Sequence, residues 1–545
     1  MSDKDPKDEG FAGSISNFYG ALAKHPMELM RMGMNTSNEL FSVFSGLSTA
    51  KSETTDKRFA DPVWDSNPAY RALKESYIAW CRNAMKGIDD LDLDHRDTER
   101  LRLLTNTFLD TWSPTNVLMG NPAAMKKTLE TGGENVVAGF RNFIDDVVNN
   151  NGMPSSVDRS KFTVGENLGI TKGDVIHRDS LRELIQYAPQ TEKIKATPIL
   201  IVPPQINKFY VWDLSPERSL VEFLVREGFT VFIVSWRNPG PEDADYGLDE
   251  YVRSLDEASE IVAKVSGSDK IHVAGACSGG ITMSMLLSYW AAKGIDRAAS
   301  ATFLVTILDT DGAANTSMGL FANLEILALA KMISKTKGVI EGSDLAKVFA
   351  WLRPNDLIWS YWINNYLMGQ NPPAFDILYW NDDTTNMSAA LHGDFMALLE
   401  ANGLKNGVSQ VLGETADLSK ITCDSFVLGG TTDHITPWEG CYRTVNMLGG
   451  TSEFVLSSSG HIQAIVNPPT NRKAKFQRMA NPPKDSETFV QQGTEVDGTW
   501  WLHWAEWLSK RSGKEISAPA STGSKDFPAL CAAPGNYVHQ KAGKA

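Results

Sequence analysis

Residues 270–280 read KIHVAGACSGG. An apolar run of strand length ends at Gly275, a turn of small residues carries Cys277, and ITMSMLLSYW (281–290) continues as an apolar helix. Strand, sharp turn and helix in this order are the context of the nucleophile elbow G-x-S-x-G, with a thiol where the hydroxyl usually stands. Taken alone, a cysteine after a strand is more often a small core residue, so the rest of the chain must support the reading. The sulfur changes the chemistry. A serine would capture an acyl group from a thioester as an oxygen ester, a downhill trap. A cysteine forms another thioester, so exchange with a thiol carrier is nearly isoenergetic and the acyl group stays transferable. The turn points to thioester-based acyl transfer.

Outward from the turn, strands and helices alternate. GDVIHRD (173–179) and RELIQYA (182–188) read as a hairpin, followed by the strands TPILIVPP (197–204) and FTVFIVSW (229–236). A helix with Tyr251, Leu255, Ala258 and Val262 on one face precedes the KIHVAG strand. Helix 281–293 and ATFLVTIL (301–308) come after it. The stretch 311–419 is helical and aromatic-rich. SFVLGG (425–430), SEFVLSSS (452–459) and a helix around Trp500 to Lys510 then resume the pattern. Continuously apolar strands alternating with helices mean a parallel sheet buried on both faces. A long excursion after the sixth strand is how an α/β-hydrolase core carries a cap. The expected catalytic domain is therefore 161–545, with its cap at about 311–419.

Residues 1–160 read as a mostly helical region, with 1–10 a disordered polar tail and NNNGMPSSVDRS (149–160) a linker. Tyr70, Leu73, Tyr77, Ile78, Cys81 and Met85 recur at helical steps and predict one buried face. The Met-rich stretch around Met30, Met32 and Met34 reads as a core or partner-helix face in preference to a lipid- or polymer-facing stripe. At 545 residues the chain exceeds what one hydrophobic core usually supports.

A net charge of −14 argues against a nucleic-acid partner. It leaves room for a polyanionic small molecule met by a local cluster. Arg237 and Arg353 could meet phosphates, or equally hold structural salt bridges. The five cysteines are scattered without a C-x-x-C pair, which excludes an obvious zinc site or redox couple and fits a reducing compartment. The N-terminus MSDKDPKDEG is polar and acidic, unlike a signal peptide, and no run approaches the roughly eighteen apolar residues of a membrane span. A cytoplasmic protein with no transmembrane segment, no metal and no cofactor is expected.

In this fold an acid and then a histidine follow the nucleophile, each just past a late strand. Asp433 follows SFVLGG-TT, and His461 follows SEFVLSSSG. A free thiol titrates at about 8.5 and needs a base, for which His461 is the candidate. Asp433 would fix the imidazole tautomer or contact an incoming hydroxyl directly. His434 is an alternative base. One oxyanion donor should be the backbone N–H of Ser278. Another should come from the loop after TPILIV, where Pro203 and Pro204 have no N–H and Gln205 and Ile206 are the first donors. His272 and His503 read as bystanders. Trp351, Trp359, Tyr361, Trp362, Tyr366, Phe375, Tyr379 and Trp380 read mainly as packing, although a lid over an apolar acyl site would use the same residues.

Longer blocks narrow the reading. PPQINKFYVWDLSPERSLV (203–221), IVSWRNP (233–239), GACSGG (275–280), AKVFAWLRPNDLIWSYWINNYL (346–367), PPAFDILYWNDDTTN (372–386), TDHITPW (432–438) and SSSGHIQAIVNPP (457–469) resemble a poly(3-hydroxyalkanoate) synthase. RFADPVWDSNPAYR (58–71) and SPTNVLMGNPAA (113–124) extend the resemblance upstream. The elbow and TTDHITPW are most similar to class II enzymes, which act on medium-chain substrates, while class I shares the architecture. The resemblance implies an acyltransferase that moves the acyl group of (R)-3-hydroxyacyl-CoA onto Cys277, releases CoA and extends a polyester. It also implies Cys277, Asp433 and His461 as the triad, a homodimer on polymer granules, and a cap that moves. CoA enters as part of the substrate. The competing readings are a cysteine-dependent hydrolase of the same fold (thioesterase or dienelactone-hydrolase-like) and a non-catalytic granule-coat protein.

Overall fold

In the computed structural model, residues 10–24, 26–48, 56–311, 319–320 and 324–541 are described. The tail expected over 1–10 lies, but for Gly10, outside them. The chain divides into two units: Met1–Arg159 with Ser317–Ala328 and Lys347–Phe375, and Ser160–Thr316 with Leu329–Ala346 and Asp376–Ala545.

The first unit is helical. Its helices are α1 (Gly10–Lys24), α2 (Pro26–Phe44), α3 (Pro68–Asp89), α4 (His95–Thr111), α5 (Pro122–Glu130) and α6 (Glu134–Asn149). Local chemistry sets several starts. Asn67, Asp94 and Asn121 accept orphan N–H groups at the first turns of α3, α4 and α5, and a proline opens α3 and α5. The buried side of α3 overlaps the predicted face only in part: Tyr77 is buried with Tyr70 and Cys81 packed against its cluster, but the buried set is turned away from Leu73. Lys74, Tyr77, Asn83, Gly87 and Ile88 are buried, while Leu73 is 40% exposed. Partners explain the rotation. Tyr77 packs into Phe59 and Trp64, Lys74 pairs with Asp65, and Gly87 has no side chain because Met32 of α2 occupies that space. Met30 and Met34 point outward.

Part of the expected cap, 317–328 and 347–375, belongs to this unit. Along 355–367, Trp359, Trp362 and Tyr366 stack edge to face, with centroids 5.9 and 5.0 Å apart. Phe143 of α6 lies 5.4 Å from Tyr366. The Tyr366 hydroxyl donates to Asp146 (2.7 Å), and Asn135 Nδ2 donates to the Leu367 carbonyl (2.8 Å). Trp351 and Phe375 are largely exposed, and Arg353 pairs with Asp356 one helical turn on.

The second unit is built on eleven strands: β1 (Gly173–Arg178), β2 (Arg182–Tyr187), β3 (Ile199–Val202), β4 (Val231–Trp236), β5 (Ile271–Ala276), β6 (Ala298–Leu304), β7 (Asp424–Gly430), β8 (Ser452–Ser457), β9 (Lys475–Ala480), β10 (Thr494–Asp497) and β11 (Cys531–Ala532). The spatial order is β10-β9-β8-β7-β6-β5-β3-β4-β2-β1-β11. The six strands from β4 to β8 are parallel and almost wholly buried; the flanking strands on both sides are antiparallel. Helices α7 (Leu248–Ser266), α8 (Ser278–Lys293), α9 (Ala389–Ala401, within the expected cap) and α10 (Trp500–Ser509) bury apolar side chains in the cores of this unit.

Two strand expectations need correction. β6 stops at Leu304 and does not reach 308, because Val305 turns into the left-handed region (φ 44°) and leaves the sheet. The sheet also extends beyond the expected set. β9, β10 and β11 lie outside that set because antiparallel strands at or next to a sheet edge are short and half polar, as in KFQRMA and TEVD. Among the described residues, no helix is long and apolar enough to cross a membrane.

Candidate active site

Cys277 sits between β5 and α8 with φ 49° and ψ −123°, a left-handed conformation that a non-glycine residue keeps only when its surroundings enforce it. They do so from three sides. Its N–H donates to the Leu304 carbonyl (3.0 Å), and its own carbonyl accepts from Gly280 (3.0 Å) and Ile281 (3.2 Å). Two glycines allow the close approach. A Cβ on Gly279 would lie 2.3 Å from the Val202 carbonyl oxygen, and one on Gly280 would lie 2.1 Å from Thr306 Oγ1. Val305 brings Thr306 beneath the turn, where its hydroxyl donates to the Leu304 carbonyl at 2.9 Å.

Asp433 and His461 come from the ends of β7 and β8. Asp433 Oδ2 lies 2.7 Å from His461 Nδ1, with the carboxylate wholly buried and the imidazole nearly so. The carboxylate also accepts the backbone N–H groups of Ile435 and Thr436 on Oδ1, both at 2.9 Å, and the Thr436 hydroxyl on Oδ2 at 2.7 Å. The Thr436 oxygen is 3.0 Å from His461 Nδ1. Burial opposes the charged imidazole. The hydrogen bond to Asp433 and the interaction with the Cys277 thiol more than offset this and raise its pKa. Burial would likewise raise Asp433, but the bonds from His461 and Thr436 hold it below the usual carboxylate range. The three side chains thus form one line from carboxylate through imidazole to sulfur. Such a line can move a proton between a thiol and a nitrogen base.

The donors near the turn are differently placed. The Gln205 N–H points at Ser278 Oγ (3.3 Å), and Gln205 Nε2 donates to Thr282 (2.8 Å). The Gln205 carbonyl accepts the Thr385 hydroxyl at 2.9 Å. Ser278 opens α8, so its N–H belongs to the amides without an intrahelical acceptor.

Most of the remaining candidates hold structural positions. His272 is locked between Ser300 (2.7 Å) and Ser512 (3.0 Å), and burial drives its pKa down to about 3. His503 pairs with Glu453 at 2.6 Å. His434 is half-buried beside Asp433. Arg237 pairs with Asp243 (3.1 Å) and Glu242 (3.4 Å). His177, Asp179 and Glu257 converge closely enough to hold a cation, but the buried Arg182 guanidinium lies among them and accounts for the cluster. A cavity of about 380 Å³ opens elsewhere in this unit, beside Thr171, Asp213, Ser219 and Glu222. None of the candidate residues lines it, and Asp213 spends its carboxylate on Thr171 and Ser219.

Thr436 escaped the sequence reading. Its signal was local: an aspartate whose carboxylate takes the N–H groups two and three residues on is an Asx turn, and D-H-I-T-P has that form.

Comparison with known proteins places most of the chain. Residues 55–224 match the family described as poly-beta-hydroxybutyrate polymerase (PhaC) N-terminus, and residues 198–468 match the alpha/beta hydrolase fold. The chain is 46% identical to poly(3-hydroxyalkanoate) polymerase 1 of Ectopseudomonas oleovorans, over 92% of its own length and 90% of that protein. It is 42% identical to polymerase 2 of the same organism, covering 96% and 94%. It is 35% identical to the polymerase subunit PhaC of Cupriavidus necator, covering 95% and 89%. A helical region ahead of an α/β-hydrolase core, matched over more than nine-tenths of the chain at these identities, makes the chain a member of the poly(3-hydroxyalkanoate) polymerase family, and so an acyltransferase.

Proposed function

We propose that the chain polymerises (R)-3-hydroxyacyl-CoA into poly(3-hydroxyalkanoate) through acyl groups held on Cys277. The observation that carries this reading is the line Asp433–His461–Cys277 at the ends of three parallel strands. His461 takes the thiol proton as sulfur attacks the thioester carbonyl. The carbonyl oxygen becomes an oxyanion, met by the N–H of Ser278 and by an N–H of the Gln205–Ile206 segment. Collapse expels CoA as a thiolate, which leaves with the proton from His461, and a thioester remains on Cys277. In elongation His461 takes the proton of a 3-hydroxyl, that oxygen attacks a second thioester, and an ester bond forms as a thiol is released.

Asp433 acts in this scheme by holding the Nδ1 proton and balancing the imidazolium. Its four accepted hydrogen bonds leave no lone pair directed at a hydroxyl of substrate. Neither metal nor cofactor is needed. The enzyme would work in the cytoplasm as a homodimer at the surface of its own polymer, on medium-chain acyl units. Support for an apolar partner surface comes from α6, where Val137, Phe140, Ile144 and Val148 recur at helical spacing and are all exposed.

Purified protein given (R)-3-hydroxyacyl-CoA of four to twelve carbons should release CoA and deposit insoluble polyester, fastest with medium chains. Free hydroxy acid as the only product would replace this reading with the cysteine hydrolase. CoA release unaffected by Cys277→Ala would leave only a coat protein.

A further inference from the structure

The Gln205–Ile206 peptide is gripped by a single residue of the cap segment. Thr385 is buried; its hydroxyl donates to the Gln205 carbonyl (2.9 Å) and its N–H to the Ile206 carbonyl (3.4 Å). Next to it Asn207 and Thr384 form an antiparallel bridge, and the Trp380 indole donates to the Lys208 carbonyl at 2.7 Å. The segment is itself anchored. Asn386 donates its N–H to Asn238 Oδ1 (2.8 Å) and accepts the Gly342 N–H (3.1 Å). In a trans peptide the C=O and the next N–H point in opposite directions. With the Gln205 carbonyl turned to Thr385, the Ile206 N–H faces away from Thr385. The preceding amide, Gln205 N–H, is already turned to Ser278 Oγ beside the nucleophile.

We propose that Thr385 is a positioning residue for the oxyanion hole: by holding the Gln205 carbonyl it fixes the plane of the Gln205–Ile206 peptide and so aims the Ile206 N–H at the acyl oxygen. The inference rests on the oxyanion reading above and adds a coupling to it. The Thr385 hydroxyl is the contact of the cap segment that holds the Gln205 carbonyl, and a shift of residues 384–386 frees that peptide to turn. Ile206, not Gln205, is then the loop's working donor, since the Gln205 N–H is engaged by Ser278.

Two reactions of Cys277 separate this role from general support of the fold. Alkylation by iodoacetamide needs the thiolate and builds no oxyanion; acylation by (R)-3-hydroxyoctanoyl-CoA needs both. Thr385→Val keeps the shape and removes the hydroxyl, while Thr385→Ser keeps the hydroxyl. First-turnover CoA release on rapid mixing should fall about 10²-fold in Thr385→Val, the scale of losing one oxyanion donor. Alkylation should stay within about twofold of wild type, and Thr385→Ser should recover most of the acylation rate. Acylation near the wild-type rate in Thr385→Val overturns the proposal. So does alkylation that falls in step with acylation. Cys277→Ala run in parallel tests the underlying reading separately: acylation that survives in it sinks the nucleophile assignment, whatever Thr385 does.

Discussion

Asp433 shares a single oxygen between His461 and Thr436: Oδ2 accepts the imidazole N–H and the threonine hydroxyl, both at 2.7 Å. The other oxygen is occupied by two backbone amides. A carboxylate held at four points is a fixed orienting group, and it makes His461 the base for both halves of the reaction.

Asp433→Asn should therefore slow acylation of Cys277 and elongation together, each by about 10²–10⁴-fold, the range seen when a triad acid is lost. Quenched-flow measurement of the first CoA released, against steady polymer growth, separates the two. Acylation that survives while elongation collapses would show that the carboxylate meets the hydroxyl directly.

Cys277→Ala should lower CoA release by about 10³-fold or more and leave the fold intact. Alanine keeps the Cβ and the left-handed backbone, so the thermal midpoint should move little. A large drop in the midpoint would mean that the thiol is chiefly a packing group.

The charged His461–Asp433 pair should leave a pH signature in stability. His461 is raised on folding, so its contribution is complete below about 6.5, the value of a free imidazole, and is lost as pH rises through the folded value. Asp433 is lowered, so its contribution is present above about 4 and is lost as pH falls through its folded value. Urea unfolding of wild type and Asp433→Asn should differ most between about pH 4 and 6.5, with the gap closing toward alkaline pH. A constant gap across the range would contradict the charged pair.

Gly280→Ala should damage the elbow. Its Cβ would meet Thr306 Oγ1 at 2.1 Å, and that hydroxyl is tied to the Leu304 carbonyl on a stiff, branched side chain. Overpacking of this kind costs about 1–3 kcal/mol. Thr306→Ala in the same chain should return part of the stability and activity, because contacting residues do not act additively. An unaffected Gly280→Ala enzyme would mean that the turn is looser than this geometry.

The elbow and its sheet are legible in the sequence because parallel strands buried on both faces are continuously apolar, and glycines must stand where backbones touch. The strand ends bearing Asp433 and His461 can be read for the same reason. Other features depend on partners far along the chain. Leu73 lies outward because Phe59, Trp64 and Met32 claim the neighbouring positions on α3, and no periodicity within the helix encodes them. The strands β9 to β11, at or beside the sheet edges, pair by backbone, and KFQRMA and TEVD are half polar. Thr385 is one of two adjacent threonines, and only the fold shows which carbonyl its hydroxyl meets. The end of β6 is hidden as well, since a valine gives no sign of a left-handed turn.

Tyr366 and Asn135, more than two hundred residues apart in the chain, belong to one helical body through Asp146 and the Leu367 carbonyl. Recombination between relatives must respect that partnership. A chimera that exchanges residues 1–159 alone inherits α6 from one parent and the Trp359–Trp362–Tyr366 row from the other. The productive crossover is a paired exchange in which 347–375 travels with the amino-terminal helices, and libraries built on a single breakpoint near 160 will discard sound catalytic cores for a mismatch elsewhere.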